Sequence, residues 1–286
     1  MEGVVGTVVD VFMLSAIYIL VSLGFALVLS IIGILNFAHG ALYMLGGYIC
    51  YWLSTQAGVN QWASLLLTAI ILGLVGLFLE RFCFRPFGGD GNLTVIMAIA
   101  IILILETALT ILAGGIIRAL EPFVPGVLKA GAISVSAQRV VTLVIGGVLL
   151  LVLTLFIGKT KTGQQMLAVS QDSEGALLQG IRIHRVSALA LAMSCALAGV
   201  AGSFMGALFD LKPFMGGPML VKAIQVVVLS GIGSIGGILV GGLIIGAIDA
   251  ILPLFAGGAV SQVVGLIIII VLLLFKPQGL FGREVA

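Results

Sequence analysis

An all-α polytopic membrane protein, with about eight to nine transmembrane helices and broken, glycine-rich segments, is the fold class this sequence predicts. Three observations carry that reading. Hydrophobic residues make up 61% of the 286 positions and charged residues only 8%, about a third of the roughly 25% that the solvated surface of a soluble domain carries. No Asp, Glu, Lys or Arg lies between Asp10 and Glu80, and further uncharged runs cover 140–158, 186–209, 223–248 and 250–275. A helix rising about 1.5 Å per residue needs about 20 apolar residues to cross about 30 Å of hydrocarbon. These runs reach or approach that length, and they lack the polar–apolar alternation of a membrane β-barrel strand.

Breakers divide the runs into nine segments, at 11–34, 36–55, 61–79, 92–114, 139–158, 187–209, 217–232, 235–255 and 260–275. Asn36 and His39 interrupt the first run. Gln56, Gly58, Asn60 and Gln61 make a polar turn, flanked by Trp52 and Trp62 where an interfacial aromatic belt belongs. Gly231, Gly233, Gly236 and Gly237 loosen the helical pattern around residue 234. Segments 29–49 and 229–249 are both glycine-rich and polar-interrupted, an early and late pairing that hints at internal duplication. The N-terminus, Met1-Glu2-Gly3, lacks the basic region of a cleaved signal, so the first helix is expected to be retained. The chain reads as one transmembrane domain, 1–286, with a polar connector at 159–186.

Orientation follows from basic residues in short loops, which favour the cytoplasmic side. Arg81 and Arg85 lie in loop 80–91. Lys159, Lys161, Arg182 and Arg185 lie in 159–186, and Lys276 and Arg283 in the tail. With these three on the inner face, nine crossings place the N-terminus outside. Loop 115–138 is then external, and Glu121, Pro122, Pro125 and Gly126 predict that it is folded.

Several functions are excluded or disfavoured. Cys50, Cys83 and Cys195 show no metal-ligand spacing and read as small buried side chains. A formal charge of +2 is too small to imply nucleic acid. His39 and His184 are far apart, and no nucleophile constellation or G-x-x-x-x-G-K-[ST] string is present. The chain is therefore expected to be no enzyme and to bind no metal or cofactor of its own. Forty glycines are about twice average usage. Strings 233–237 and 241–246 read either as close helix packing or as a broken helix beside a solute path.

Gly33-Ile34-Leu35-Asn36-Phe37-Ala38-His39-Gly40 buries two polar side chains in apolar surroundings. Burying an amide or imidazole without partners costs roughly 2–7 kcal/mol, so each needs freed backbone or a wet cavity. The string resembles the Asn-Phe-Ala-His-Gly signature of LivH-type branched-chain amino acid permeases of ATP-binding cassette importers. Glu80-Arg81 with Arg85-Pro86, Thr162-Gly163 through Gly180-Ile181, Gly231 to Gly237, and Lys276 to Arg283 resemble further motifs of that family in order. The likeness spans roughly 10–283. Ala41 replaces an acidic residue often found after the signature, and Gln164-Gln165-Met166 supply less arginine than usual.

The resemblance implies an inner-membrane permease for branched-chain or related small amino acids. Other small solutes (amides, organic acids) remain alternatives, as does an ion-coupled secondary transporter using Glu106 and Asp249. It implies a second related permease subunit or a second copy of the chain, two ATPases that bind the ATP and Mg, and an external solute-binding protein. For ATPase coupling it points to Gly163, Asp172, Glu174, Ala176 and Gly180, with a helix from Gln164 to Gln179 ended by Gly180. Polar groups inside the membrane are default functional candidates. For the translocation path these are Asn36, His39, Tyr43, Glu106, Gln225 and Asp249, with Lys222 beside them.

Overall fold

The computed structural model describes residues 2–33, 35–87, 90–130, 133–231 and 233–282. Met1 of the N-terminal reading, Ile34 of the signature, Ile232 of the late glycine string and Arg283 of the tail lie outside the described residues. Among the described residues twelve α-helices follow in chain order: α1 (Glu2–Ile32), α2 (His39–Tyr51), α3 (Gln61–Leu79), α4 (Gly91–Ala113), α5 (Ala137–Lys159), α6 (Lys161–Gln171), α7 (Ser173–Leu178), α8 (Ile183–Phe209), α9 (Gly216–Ser230), α10 (Ile235–Ile251), α11 (Pro253–Ala256) and α12 (Gly258–Phe275). Wide π turns extend α2 through Gln56 and α3 through Phe84. Among the described residues six helical stretches are long and apolar enough to cross a membrane, and α9 and α12 are shorter apolar helices. Ile104, Ile111, Leu66 and Leu274 stand exposed along these helices, a surface suited to lipid and unfavourable in water.

The predicted segments all appear, with instructive shifts. The first helix begins well before residue 11, because Asp10 does not stop it: Arg139 Nη1 donates to Asp10 Oδ2 at 2.9 Å. That pair sets the starts of α1 and α5 at one end, as the charge-derived orientation requires. Asn60 ends the polar turn by accepting the Trp62 amide at 3.0 Å, capping α3. The loop before α5 folds into an antiparallel hairpin, β1 (Val127–Ala130) and β2 (Ile133–Ser136), paired Val127 to Ser136. This strand pair is an addition to an otherwise helical chain.

Two compact units are built from interleaved parts of the chain. One comprises 24–120 and 150–220. Its centre is α8, against which both α2 and α3 pack extensively. The approach is close because small residues meet: a Cβ on Gly46 would strike the Gly199 backbone. Leu42, Leu72, Leu191 and Cys195 fill the core around that seam.

The other unit comprises 1–23, 121–149 and 221–286. Here Ser15 and Ile19 of α1 lie against Gly246 and Gly242 of α10, and Ala16 lies against Gly146 of α5. These contacts assign the 241–246 string to helix packing. The C-terminal segment returns to the break between α9 and α10. Leu280 N donates to Leu229 O at 2.9 Å and Phe281 N to Ser230 O at 3.0 Å. Gly231 (φ +90°) and Gly279 (φ +79°) touch backbone to backbone there, where both the left-handed conformation and the lack of space demand glycine. The tail thus supplies amides to carbonyls that α9 leaves orphaned at its end. Gly279→Val should destabilise the chain by about 2 kcal/mol or more. It should lower the melting temperature of the detergent-purified protein, and unchanged melting would mean the tail does not hold the break.

Candidate functional site

The signature string forms a true helix break in the unit 24–120 and 150–220. Gly33 ends α1 with φ +74°. Asn36 then folds the chain, its Oδ1 accepting the Ala38 amide at 3.1 Å and its carbonyl accepting the His39 amide at 3.1 Å. This is why α2 starts at His39 and not at 36, since an Asn side chain competes well for turn amides. Asn36 is 1% exposed, yet its Nδ2 has no hydrogen-bond partner among the described residues. His39 is fully buried, with Nδ1 3.2 Å from Ser194 Oγ on α8 and the Phe25 ring edge-on. Tyr43, one turn further along α2, is 1% exposed and its hydroxyl is unpartnered among the described residues. The structure therefore brings Asn36, His39 and Tyr43 into one region, with His39 held in the α2–α8 seam. Glu106 is half-buried on α4, and among the described residues no hydrogen bond or ion pair joins its carboxyl to the other candidates.

Gln225 and Asp249 belong to the other unit. Asp249 Oδ1 accepts from Lys222 Nζ at 2.8 Å, and its Oδ2 accepts from the Tyr18 hydroxyl at 2.7 Å. Both charged side chains are about nine-tenths buried. Gln225, one turn beyond Lys222 on α9, is 2% exposed and packs by Gly265 of α12. Its Oε1 has no partner among the described residues.

The polar connector is the second candidate region. Thr160 Oγ1 caps α6 by accepting the Gly163 amide at 3.0 Å, and Gly163 itself packs on the backbone of Phe156 and Ile157. The expected single helix over 164–179 is in fact two, split at Asp172. That residue is extended (ψ 103°), and its Oδ1 accepts the Gly175 amide at 2.9 Å, starting α7. An Asp that can cap a new helix stabilises a break more than it stabilises a helix interior. Gly180 ends α7 as expected, at φ +79°, with its amide on Leu177 O and the Ile181 amide on Ala176 O. Ala176 is buried with Ile31, Met166, Val169 and Val186, whereas Glu174 is exposed. Leu177 and Leu178 stand 59% and 87% exposed at the tip.

Glu80 and Arg85, in the first basic loop, form a two-point pair: Arg85 Nε and Nη2 donate to the Glu80 oxygens at 3.1 and 2.8 Å. Among the described residues no three His, Cys, Asp or Glu side chains converge as a metal site would need.

The family model described as "Branched-chain amino acid transport system / permease component" matches residues 7–274. The chain belongs to this family. It is 31% identical over 281 residues to the high-affinity branched-chain amino acid transport system permease protein BraD of Pseudomonas aeruginosa, covering 93% of this chain and 92% of BraD. It is also 31% identical to the LivH permease protein of Salmonella typhimurium, over 94% and 92% of the two chains. A more distant likeness, 24% identity, runs to the LivM permease protein of the same kind of system in Escherichia coli, covering 95% of this chain and 69% of LivM.

Sequence reasoning did not find every side chain that the fold brings into these contacts or leaves exposed beside them. Tyr18 and Ser194 looked like ordinary residues of apolar helices, because their partners lie far away in sequence. Leu177 and Leu178 carried a signal that was available: two adjacent leucines in a polar loop with little room to bury both. His39→Leu should destabilise the permease by about 1–2 kcal/mol by stranding the Ser194 hydroxyl. Adding Ser194→Ala should recover part of that loss in a double-mutant cycle read by thermal melting. Strict additivity would show that the His39–Ser194 contact carries no energy.

Proposed function

We propose that this chain is the membrane-embedded permease subunit of an ATP-driven importer that moves branched-chain or related small amino acids across a bacterial inner membrane. The family match over 7–274 is the observation that carries this reading. Likeness to both LivH and LivM supports a complex built on two related permease subunits. An external binding protein would deliver the solute. Two separate ATPases would supply the energy, since these 286 residues hold no phosphate-binding loop string.

The connector α6–α7 is the proposed docking element for those ATPases. Gly163, Asp172, Ala176 and Gly180 shape it, each by a turn, cap or close contact. Glu174 adds an exposed carboxylate, and Leu177 and Leu178 present apolar surface to a partner. As translocation-path candidates we take Asn36 and Tyr43, beside His39, within the unit 24–120 and 150–220, and separately Gln225 within the unit 1–23, 121–149 and 221–286. Each of Asn36, Tyr43 and Gln225 keeps a buried polar atom unused, and such an atom is costly until water, solute or a second conformation satisfies it. Glu106 is a further candidate, as a carboxyl in a lipid-crossing helix.

The test is to copurify the tagged chain with its partners from its native membrane and reconstitute the complex. ATP-dependent uptake of radiolabelled leucine, isoleucine or valine is expected, exceeding that of a small amide or organic acid. Uptake driven by a proton or sodium gradient without ATP would overturn the reading. Leu178→Asp should cut ATPase retention at least ten-fold while leaving the amount of permease in the membrane unchanged, and full retention would remove α7 as the docking element.

A further inference from the structure

Three charged or polar side chains meet inside the unit formed by 1–23, 121–149 and 221–286. Lys222 Nζ lies 2.8 Å from Asp249 Oδ1, and the Tyr18 hydroxyl lies 2.7 Å from Oδ2. Lys222 and Asp249 are 9% and 10% exposed, and Tyr18 is 6% exposed. Each comes from a different helix: Tyr18 from α1, Lys222 from α9 and Asp249 from α10. Both carboxylate oxygens are engaged, and the charges of Lys222 and Asp249 cancel.

The backbone geometry explains why these three meet. On α10, Gly246 and Gly242 lie against Ser15 and Ile19 of α1, so the two helices run antiparallel at close range. Gly237 and Gly241 lie against Ser230 and Val226 of α9 in the same sense. Continuing that second register by one turn sets Lys222 opposite Ile245. Long helical side chains lean toward their own N-terminus. On α9 and on α1 that lean carries the Lys222 ammonium and the Tyr18 hydroxyl toward the level of Asp249. The glycines set how closely the helices approach, and directional bonds to one carboxylate add a constraint along their axes.

We propose that Tyr18, Lys222 and Asp249 form a neutral clamp that fixes the register of α1, α9 and α10, and that these charges act as positioning residues and not as solute ligands or ion-coupling groups. Asp249 already holds a fixed ammonium and a hydroxyl, so a solute cation would have to displace Lys222 to pair with it. A coupling carboxylate must exchange its ion, whereas this one is sealed by a fixed cation. The orphaned acceptor of Gln225 is the part of this unit left for solute, and the clamp holds its helix in place.

The test uses the full chain in its native complex, with membrane accumulation and thermal melting read separately from uptake, because only the uptake readout rests on the importer reading. Lys222→Met or Asp249→Leu alone strands a buried charge and should lower accumulation at least five-fold. The double variant K222M/D249L should return accumulation to within two-fold of the original. Its uptake should keep KM within two-fold while Vmax falls at least three-fold, since apolar packing restores stability without register. Wild-type accumulation of the single variants would overturn the clamp. A KM raised ten-fold in the double variant would assign the charges to solute, and unchanged KM and Vmax would remove the positioning role. If the double variant does not accumulate, the swapped pair K222D/D249K decides. Its accumulation with unaltered KM supports the clamp, and failure to accumulate overturns it. Absence of uptake in the unsubstituted complex would count against the importer reading, leaving the accumulation result to judge the clamp.

Discussion

Inside hydrocarbon a backbone amide or carbonyl has no water to turn to, so each must find its partner within the protein. Straight helices meet this requirement by themselves, and breaks do not. Two of the breaks among the described residues, between α1 and α2 and between α9 and α10, therefore show where the fold spends polar side chains. At the first, Asn36 takes the Ala38 amide and its own carbonyl receives His39. At the second, Ser234 caps α10 through the Gly237 amide at 3.0 Å, and the C-terminal tail supplies two amides to the end of α9. This chain satisfies its irregular backbone with side-chain caps and with a C-terminal segment about fifty residues further along the chain.

The same lack of water removes the hydrophobic drive between helices and leaves packing and polar contacts to choose partners. Small residues bring the backbones together at Gly46–Gly199 in one unit and at Ser15–Gly246 in the other. Polar contacts then select among the registers that such seams allow. His39–Ser194 serves α2 and α8, and Asp10–Arg139 serves α1 and α5. Division of labour between small residues and polar residues explains why a chain with so few charges can bury Glu80 beside Arg85 and Lys222 beside Asp249.

Much of this was legible in the sequence. The spans followed from uncharged runs, because helix length against bilayer thickness leaves little choice. The break at Asn36–His39, the loosened stretch near residue 234 and the Gly180 cap followed from local chemistry that acts within a few residues. Partnerships were not legible. Asp249 as a lone intramembrane carboxylate pointed to solute or ion, and only the fold shows Lys222 and Tyr18 on it. Asp172 is instructive in another way. Its position inside an amphipathic stretch suggested one helix, yet an Asp can either decorate a helix or start one, and nearby residues did not decide between them. The β1–β2 hairpin escaped notice because its four-residue strands fall in a loop rich in turn formers, where a short alternation carries little weight.

The split at Asp172 bears on how force could pass through the connector. A single long helix over 164–179 would act as a lever pivoting on its ends. Two short helices act as a wedge, provided the second is seated firmly. It is: Ala176 of α7 is buried against Ile31 at the end of α1, Met166 and Val169 of α6, and Val186 and Ala190 at the start of α8. Close-packed interiors have few soft directions, so displacement at one side is carried to the other and not absorbed. Leu177 and Leu178 follow Ala176 in sequence and are exposed. A partner gripping those leucines would thus push on α8 through one buried residue, and α8 is the helix on which α2 and the His39 seam are packed. Coupling by this route requires a discrete rearrangement in that seam, because packed helices exchange between arrangements more readily than they stretch.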